Sequence, residues 1–223
     1  MKVGFGWLWR HPLLRPMAII LGLLNALGML SGSMLVLFAQ EVLGTDTREF
    51  AILSTGAAVG GAVGGWTASW ISKRIGPGPS LSLTLVGGGL GTAAMGLVSV
   101  WPLAWVLLAF YMVVAVLWNV ITVSLRQAII PDPLLGRVNS VYRFFAWGMM
   151  PLGSVLGGLL VLLAETVVSR EMALRLPWLV AGSLHLLLFA FAAPKLTTSK
   201  IEAARSAARQ VSNAASAQGS DDA

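Results

Sequence analysis

Residues 103–125, LAWVLLAFYMVVAVLWNVITVSL, form an unbroken apolar run of 23 residues with no charged side chain. A helix rises about 1.5 Å per residue, and about 20 predominantly apolar residues cross the hydrocarbon core of a bilayer. Working outward, five more stretches have this character: 17–40, 50–71, 81–100, 141–163 and 174–193. Between them stand turn-forming residues at Gly44-Thr45-Asp46, Gly76-Pro77-Gly78-Pro79, Trp101-Pro102 and Pro131-Asp132-Pro133. Composition agrees, with 57% hydrophobic and 11% charged residues, against roughly 45–50% and about 25% in soluble domains. A chain this size has too little interior to hide that much apolar surface from water. The sequence therefore predicts an all-α, polytopic membrane bundle of six transmembrane helices over 17–193. An interfacial segment, 1–16, precedes it and a flexible tail, 194–223, with a short helix near 201–210, follows.

Charge placement predicts orientation. If the six helices alternate in direction, the N-terminal side carries Lys2, Arg10, Arg15, Lys73, Arg74, Arg126, Arg137, Arg143, Lys195, Lys200, Arg205 and Arg209. The other side carries only Arg48, Arg170 and Arg175. Lys and Arg gather in cytoplasmic loops, so both termini are expected in the cytoplasm, with the lipid bilayer of the cell membrane as the first partner. The net charge of +6 thus reads as topology and headgroup anchoring, and a nucleic-acid partner is not expected. Trp7, Trp9, Arg10, His11 and Arg15 mix aromatic and basic side chains as membrane interfaces do.

Several chemistries lack their residues. There is no cysteine, which removes thiol catalysis and cysteine metal sites. No Asp or Glu lies within a hydrophobic span, so a buried-carboxylate proton relay is not expected from this chain. His-Glu-x-x-His and phosphate-loop motifs are missing, and Ser124 lacks the Gly-x-Ser context of an intramembrane serine protease. No enzyme, metal or cofactor is expected.

Glycines fall at helical spacing: Gly56, Gly60 and Gly64 in one register of the second span, Gly61 and Gly65 in another. The fifth span carries Gly148, Pro151, Gly153, Gly157 and Gly158. Small residues four apart let helix backbones approach, and proline removes a donor and kinks a helix. These are expected packing and kink positions, in a static helix or a moving one.

The stretch 126–158, RQAIIPDPLLGRVNSVYRFFAWGMMPLGSVLGG, resembles the link between the tenth and eleventh helices in one branch of the major facilitator superfamily. That branch includes enterobactin-type siderophore exporters and macrolide efflux pumps. WLWRHPLLRP, residues 7–16, is similar to the approach to the seventh helix there. Arg74 and Gly76 match the superfamily's Gly-x3-Asp-Arg-x-Gly loop, while Ser69 and Lys73 stand where its first glycine and its acid would be. The resemblance implies half of a major facilitator fold, the C-terminal six helices. A missing N-terminal half or a second copy would then be its partner, because a complete transporter holds substrate between two halves. A truncated gene, a misplaced start or a dimerising half would each account for the length. The implied activity is secondary active efflux, antiport included, of drugs, siderophores or similar amphipathic small molecules, with an inert or purely structural six-helix membrane fragment as the alternative.

On that reading the first and fourth helices line the cavity. The candidates are Asn25, Ser31 and Ser33 on the first, and Tyr111, Trp118, Asn119 and Thr122 on the fourth. Asn25 and Asn119 stand out because an amide in hydrocarbon wants a partner, which an interhelical hydrogen bond would also supply. Lys73, Arg74, Gly76, Arg126, Arg137 and Arg143 are the candidate cytoplasmic gate and loop residues, with headgroup anchoring as the other reading. His185 is placed on a peripheral helix.

Overall fold

Each turn signal in the sequence becomes a helix start. In the computed structural model, which describes residues 2–221, the elements are α1 (Lys2–Arg10), α2 (Leu14–Gly32), α3 (Leu35–Leu37), a π-helical turn (Phe38–Val42), α4 (Thr47–Ile75), α5 (Pro77–Met95), α6 (Trp101–Ile129), α7 (Asp132–Ala164), α8 (Arg170–Ala192) and α9 (Thr198–Asp221). There is no strand among the described residues. Pro77, Pro102 and Pro133 occupy first turns, where the missing N–H costs no hydrogen bond. A reciprocal capping box opens α4: Glu49 N–H donates to Asp46 Oδ1 at 2.7 Å, and Asp46 N–H donates to Glu49 Oε2 at 3.0 Å. Gly76, at φ +83°, alone separates α4 from α5. Ahead of α2, His11 Nδ1 accepts the N–H groups of Leu13 and Leu14, each at 3.2 Å. Burial holds the His11 imidazole below its ordinary range, which keeps that nitrogen an acceptor.

Five helical stretches are long and apolar enough to cross a membrane: Leu14–Val42, Thr47–Ile75, Trp101–Ile129, Asp132–Ala164 and Arg170–Ala192, the mark of a multi-pass membrane protein. The third predicted span, 81–100, differs. Its helix is α5, 19 residues that begin earlier, at Pro77, and end at Met95. Glycine, serine and threonine dilute its apolar character. The reason is position: α5 turns Ser80, Thr84, Gly88 and Thr92 inward, all buried, and keeps an apolar outer face at Leu83 and Leu90. It still runs the bundle's height. Its first turn meets Thr198 through Gly78, and beyond its last turn Gly96 C=O accepts from Arg175 Nη1 at 2.9 Å.

The closest helix pairs are α4 with α6, α2 with α7, and α5 with α8. Glycines set the first two. Gly56, Gly60 and Gly64 on α4 face the backbones of Trp105, Ala109 and Val113 on α6. Gly153 and Gly157 on α7 face the carbonyls of Ala26 and Leu30 on α2. In both pairs residue numbers rise together in steps of four, so the helices run parallel. The antiparallel third pair sets Gly88 against His185 and Gly182 against Ala93. Exchanging α2, α4 and α5 for α6, α7 and α8 maps this set of pairs onto itself. It also maps the weaker α5–α6 contact onto α8–α2, and α4–α5 onto α7–α8. Because α2 and α6 start from opposite ends, the two triplets are inverted repeats in their packing.

Polar clamps close the end away from the termini. The buried Arg175 guanidinium donates to the carbonyls of Gly96 and Val98 at 2.9 and 2.8 Å, to Ser99 Oγ at 2.9 Å, and pairs with Glu171 at 3.0 Å. Arg170 pairs with Glu41 at 2.8 Å and with Glu165. At the opposite end α1 lies along α7, where Trp9, Phe5 and Phe145 cluster with ring centroids 5.3–6.2 Å apart. The segment expected to be a flexible tail is instead helical as α9, which contacts α5 and α6. Ile201 and Leu196 are buried in the same cluster as Leu125 and Ile129, and alanine-rich sequence favours the helix.

The two glycine registers of α4 make separable predictions. A Cβ at Gly60 would collide with the Ala109 carbonyl, whereas one at Gly61 meets nothing within 4 Å. Alanine raises helix propensity at either site, so the comparison isolates packing. Gly60→Ala is expected to destabilise the bundle by about 1–3 kcal/mol relative to Gly61→Ala, read by denaturant unfolding in detergent. Equal stability of the two variants would contradict the α4–α6 packing.

Candidate functional site

Helical spacing places the polar candidates on one side of α6. Tyr111, Trp118 and Asn119 are separated by seven and eight residues, two turns of helix, and so share a face. On α2, Asn25, Gly28 and Ser31 recur at every third residue. These faces meet α5 and α8 around two small interior cavities. The first, about 60 Å³, is lined by Asn25, Tyr111, Trp118 and Asn119 together with Thr84, Gly88 and His185. The second, about 80 Å³, is lined by Ser31, Tyr111, Thr92 and Trp178 among others. Tyr111 borders both, and Gly28 makes room for it: a Cβ there would lie 2.8 Å from the Tyr111 hydroxyl. No Asp, Glu, Lys or Arg lines either cavity among the described residues.

Five of the seven cavity candidates thus come together, and two do not. Thr122 is buried, its hydroxyl donating back to Trp118 C=O at 2.9 Å. Ser33, at the C-terminal end of α2, lines neither cavity. The two amides differ. Asn25 Nδ2 donates across to Ala146 C=O on α7 at 2.7 Å, which is the interhelical bond the sequence left open. Asn119 Nδ2 donates to Ala115 C=O of its own helix at 3.0 Å, and the residue is exposed.

The gate candidates are dispersed. Arg126 lies over the Tyr142 ring, 3.9 Å from its centroid, while the Tyr142 hydroxyl donates to Met17 C=O at 3.3 Å. Arg126 thereby joins α6, α7 and α2. Arg143, the residue after Tyr142, lies 4.5 Å from the ring centroid of Trp147, one turn further along α7. Arg137 and Arg143 sit within α7, because that helix starts at Asp132 rather than at 141. Lys73 and Arg74 fall in the last turn of α4, and Gly76 caps it. These positions form helix ends and faces rather than one loop.

The packing and kink candidates divide into two faces. Gly153 and Gly157 are buried against α2. A Cβ on Gly148 or Gly158 would meet nothing within 4 Å. Pro151 is exposed inside a helix that continues through it, so the Trp147 carbonyl lacks its usual backbone donor four residues on.

Thr84, Gly88, Thr92, Trp178 and His185 are among the lining residues that sequence reasoning missed. Gly88 lies in the Gly87-Gly88-Gly89 run, where spacing alone does not say which glycine faces which helix. A larger hollow, about 670 Å³, opens on the surface between the first turns of α5 and α9. It carries no titratable side chain, whereas a second surface hollow, about 560 Å³, is lined by Lys2, Arg10 and His11 of the N-terminal segment. The chain matches no protein-family model, no curated protein and no solved structure.

The Asn25–Ala146 bond is testable. Asn25→Leu is expected to lower bundle stability by about 0.6 kcal/mol, the average for an interhelical bond in lipid. Asn119→Leu, which breaks only a bond within one helix, is expected to change it less. Unfolding in detergent measures both, and the reverse order would contradict the assigned geometry.

Proposed function

We propose that the chain is a six-helix transport bundle, α5 included as the third crossing. In this reading it works with a second bundle in the secondary active efflux of amphipathic small molecules. The observation that carries the reading is the inverted pairing of two three-helix triplets, an internal repeat characteristic of secondary transporters. The likeness of residues 126–158 to major facilitator exporters supports it independently. Parallel helices held by glycine on carbonyl have smooth contact faces, which suit rocking of one helix pair past its neighbours. On this reading both termini are cytoplasmic, as the basic residues near them favour.

The partner bundle, a preceding half or a second copy, would meet the open faces of α4 and α7. Gly61, Gly65, Gly148 and Gly158 have no close neighbour there, and these two helices exchange under the internal symmetry. Substrate would bind where the polar faces of α2 and α6 approach that junction, with Asn119 exposed and Asn25, Tyr111 and Trp118 behind it. Coupling by a buried carboxylate would fall to the partner, since no Asp or Glu lies within the predicted spans.

Accumulation of a panel of fluorescent amphipathic compounds tests this in cells expressing the chain alone or with an N-terminal six-helix bundle. Energy-dependent lowering of accumulation is expected for part of the panel, with a changed selection of compounds in Tyr111→Ala. Accumulation equal to that of non-expressing cells across the whole panel, in both formats, would overturn the proposal.

A further inference from the structure

Three residues that line the two small cavities carry polar atoms that the protein itself leaves without partners. His185 is 7% exposed, Trp118 3% and Trp178 5%. His185 Nε2, Trp118 Nε1 and Trp178 Nε1 are all buried without a hydrogen-bond partner in the protein. His185 and Trp118 line the first cavity, and Trp178 lines the second. Buried polar atoms are nearly always satisfied, by protein or by ordered water. Three orphans at two adjoining cavities therefore call for a ligand.

The chemistry of the linings defines that ligand. An indole N–H only donates, so whatever fills either cavity must bring lone pairs. A neutral imidazole nitrogen accepts or donates according to tautomer, so a ligand that does both suits His185. No Asp, Glu, Lys or Arg lines either cavity among the described residues, and an uncompensated ion would be costly there. Volume sets the size. Cavities of about 60 and 80 Å³ exceed the roughly 10–15 Å³ that one water needs, so each has room for water-sized ligands. The surrounding structure is shaped to keep this space. Gly88 makes room for the imidazole, since a Cβ there would lie 2.7 Å from His185 Cε1. Gly28 does the same for the Tyr111 hydroxyl between the cavities.

We propose that the two cavities, parted by Tyr111, form a binding site for water-sized, uncharged oxygen ligands. The indole N–H groups of Trp118 and Trp178 and the imidazole of His185 hold them, and water is the resident ligand. The site hydrates the interior of a bundle whose outer faces are apolar, and it stands whether or not the chain transports anything.

Water-edited solid-state NMR on the full chain, ¹⁵N-labelled at tryptophan and reconstituted in lipid bilayers, tests it. Trp118→Phe and Trp178→Phe assign the two indole signals. Both are expected to receive polarisation from water. Gly88→Ala, which pushes His185 into the first cavity, is expected to cut the Trp118 transfer at least several-fold and leave Trp178 unchanged. Thr92→Leu, which fills the second cavity, is expected to do the reverse. The unaffected indole reports the fold in each variant, and either variant alone suffices if the other does not fold. Dry indoles in the unmodified chain would overturn the proposal. Equal loss at both sites in a folded variant would overturn it as well, because the water would then not be held cavity by cavity.

Discussion

Everything in this bundle depends on how closely two helix backbones can approach without side chains between them. In hydrocarbon there is no hydrophobic drive to press helices together, and association rests on van der Waals contact, polar contacts and fit. Gly60 against Ala109, and Gly153 and Gly157 against Ala26 and Leu30, bring main chain onto main chain. Each contact fixes axial register as well as distance, because the glycines and the carbonyls they meet recur at the same four-residue interval. Two parallel pairs follow, and α5 and α8 fill the space between them antiparallel to each other.

Once one face of α5 packs on α6 and α8, its composition follows. It can carry Ser80, Thr84 and Thr92 on its buried side, and two of these hydroxyls bond back to carbonyls of their own turn, Ser80 to Gly76 at 2.6 Å and Thr84 to Leu81 at 2.8 Å. Its glycines leave space that Phe110 enters from α6 and His185 and Leu186 enter from α8. Polar groups thus collect in the interior, while Trp66, Leu90, Leu152 and Leu187 face outward. Ionic groups are kept to the two ends. Arg175 is the most enclosed of them, and its guanidinium is answered by two carbonyls, a hydroxyl and a carboxylate. A buried guanidinium needs such full pairing to be tolerated.

Much of this was legible in residue order. Long apolar runs and proline punctuation located the helices, and the four-residue glycine register on α4 located a packing face. The likeness to major facilitator exporters, rather than periodicity, singled out Tyr111, Trp118 and Asn119 on α6. The boundaries were less legible, because a proline reads equally as a break or as a first helical turn. That ambiguity hid the early start of α7 at Asp132 and of α5 at Pro77. Periodicity gives a face but not the helix opposite, so Gly153 and Gly148 looked alike although one meets α2 and the other is open. His185 was set on the periphery because the resemblance makes the sixth helix peripheral. Its interior position follows from the α5–α8 contact, a long-range pairing with no local signal.

The central claim is that glycine faces are used twice, inward to pair helices within the bundle and outward on α4 and α7 to meet a second bundle. The chain has no native cysteine, so single cysteines at Gly61 or Gly158 report on that outer face directly. Cross-linking in the membranes of expressing cells is predicted to join each of these positions to a second bundle. Cysteines at Leu90 and Leu187, 56% and 66% exposed on α5 and α8, are predicted to stay unlinked. Cross-linking at Leu90 and Leu187 with none at Gly61 and Gly158, or none at any of the four, would contradict the account.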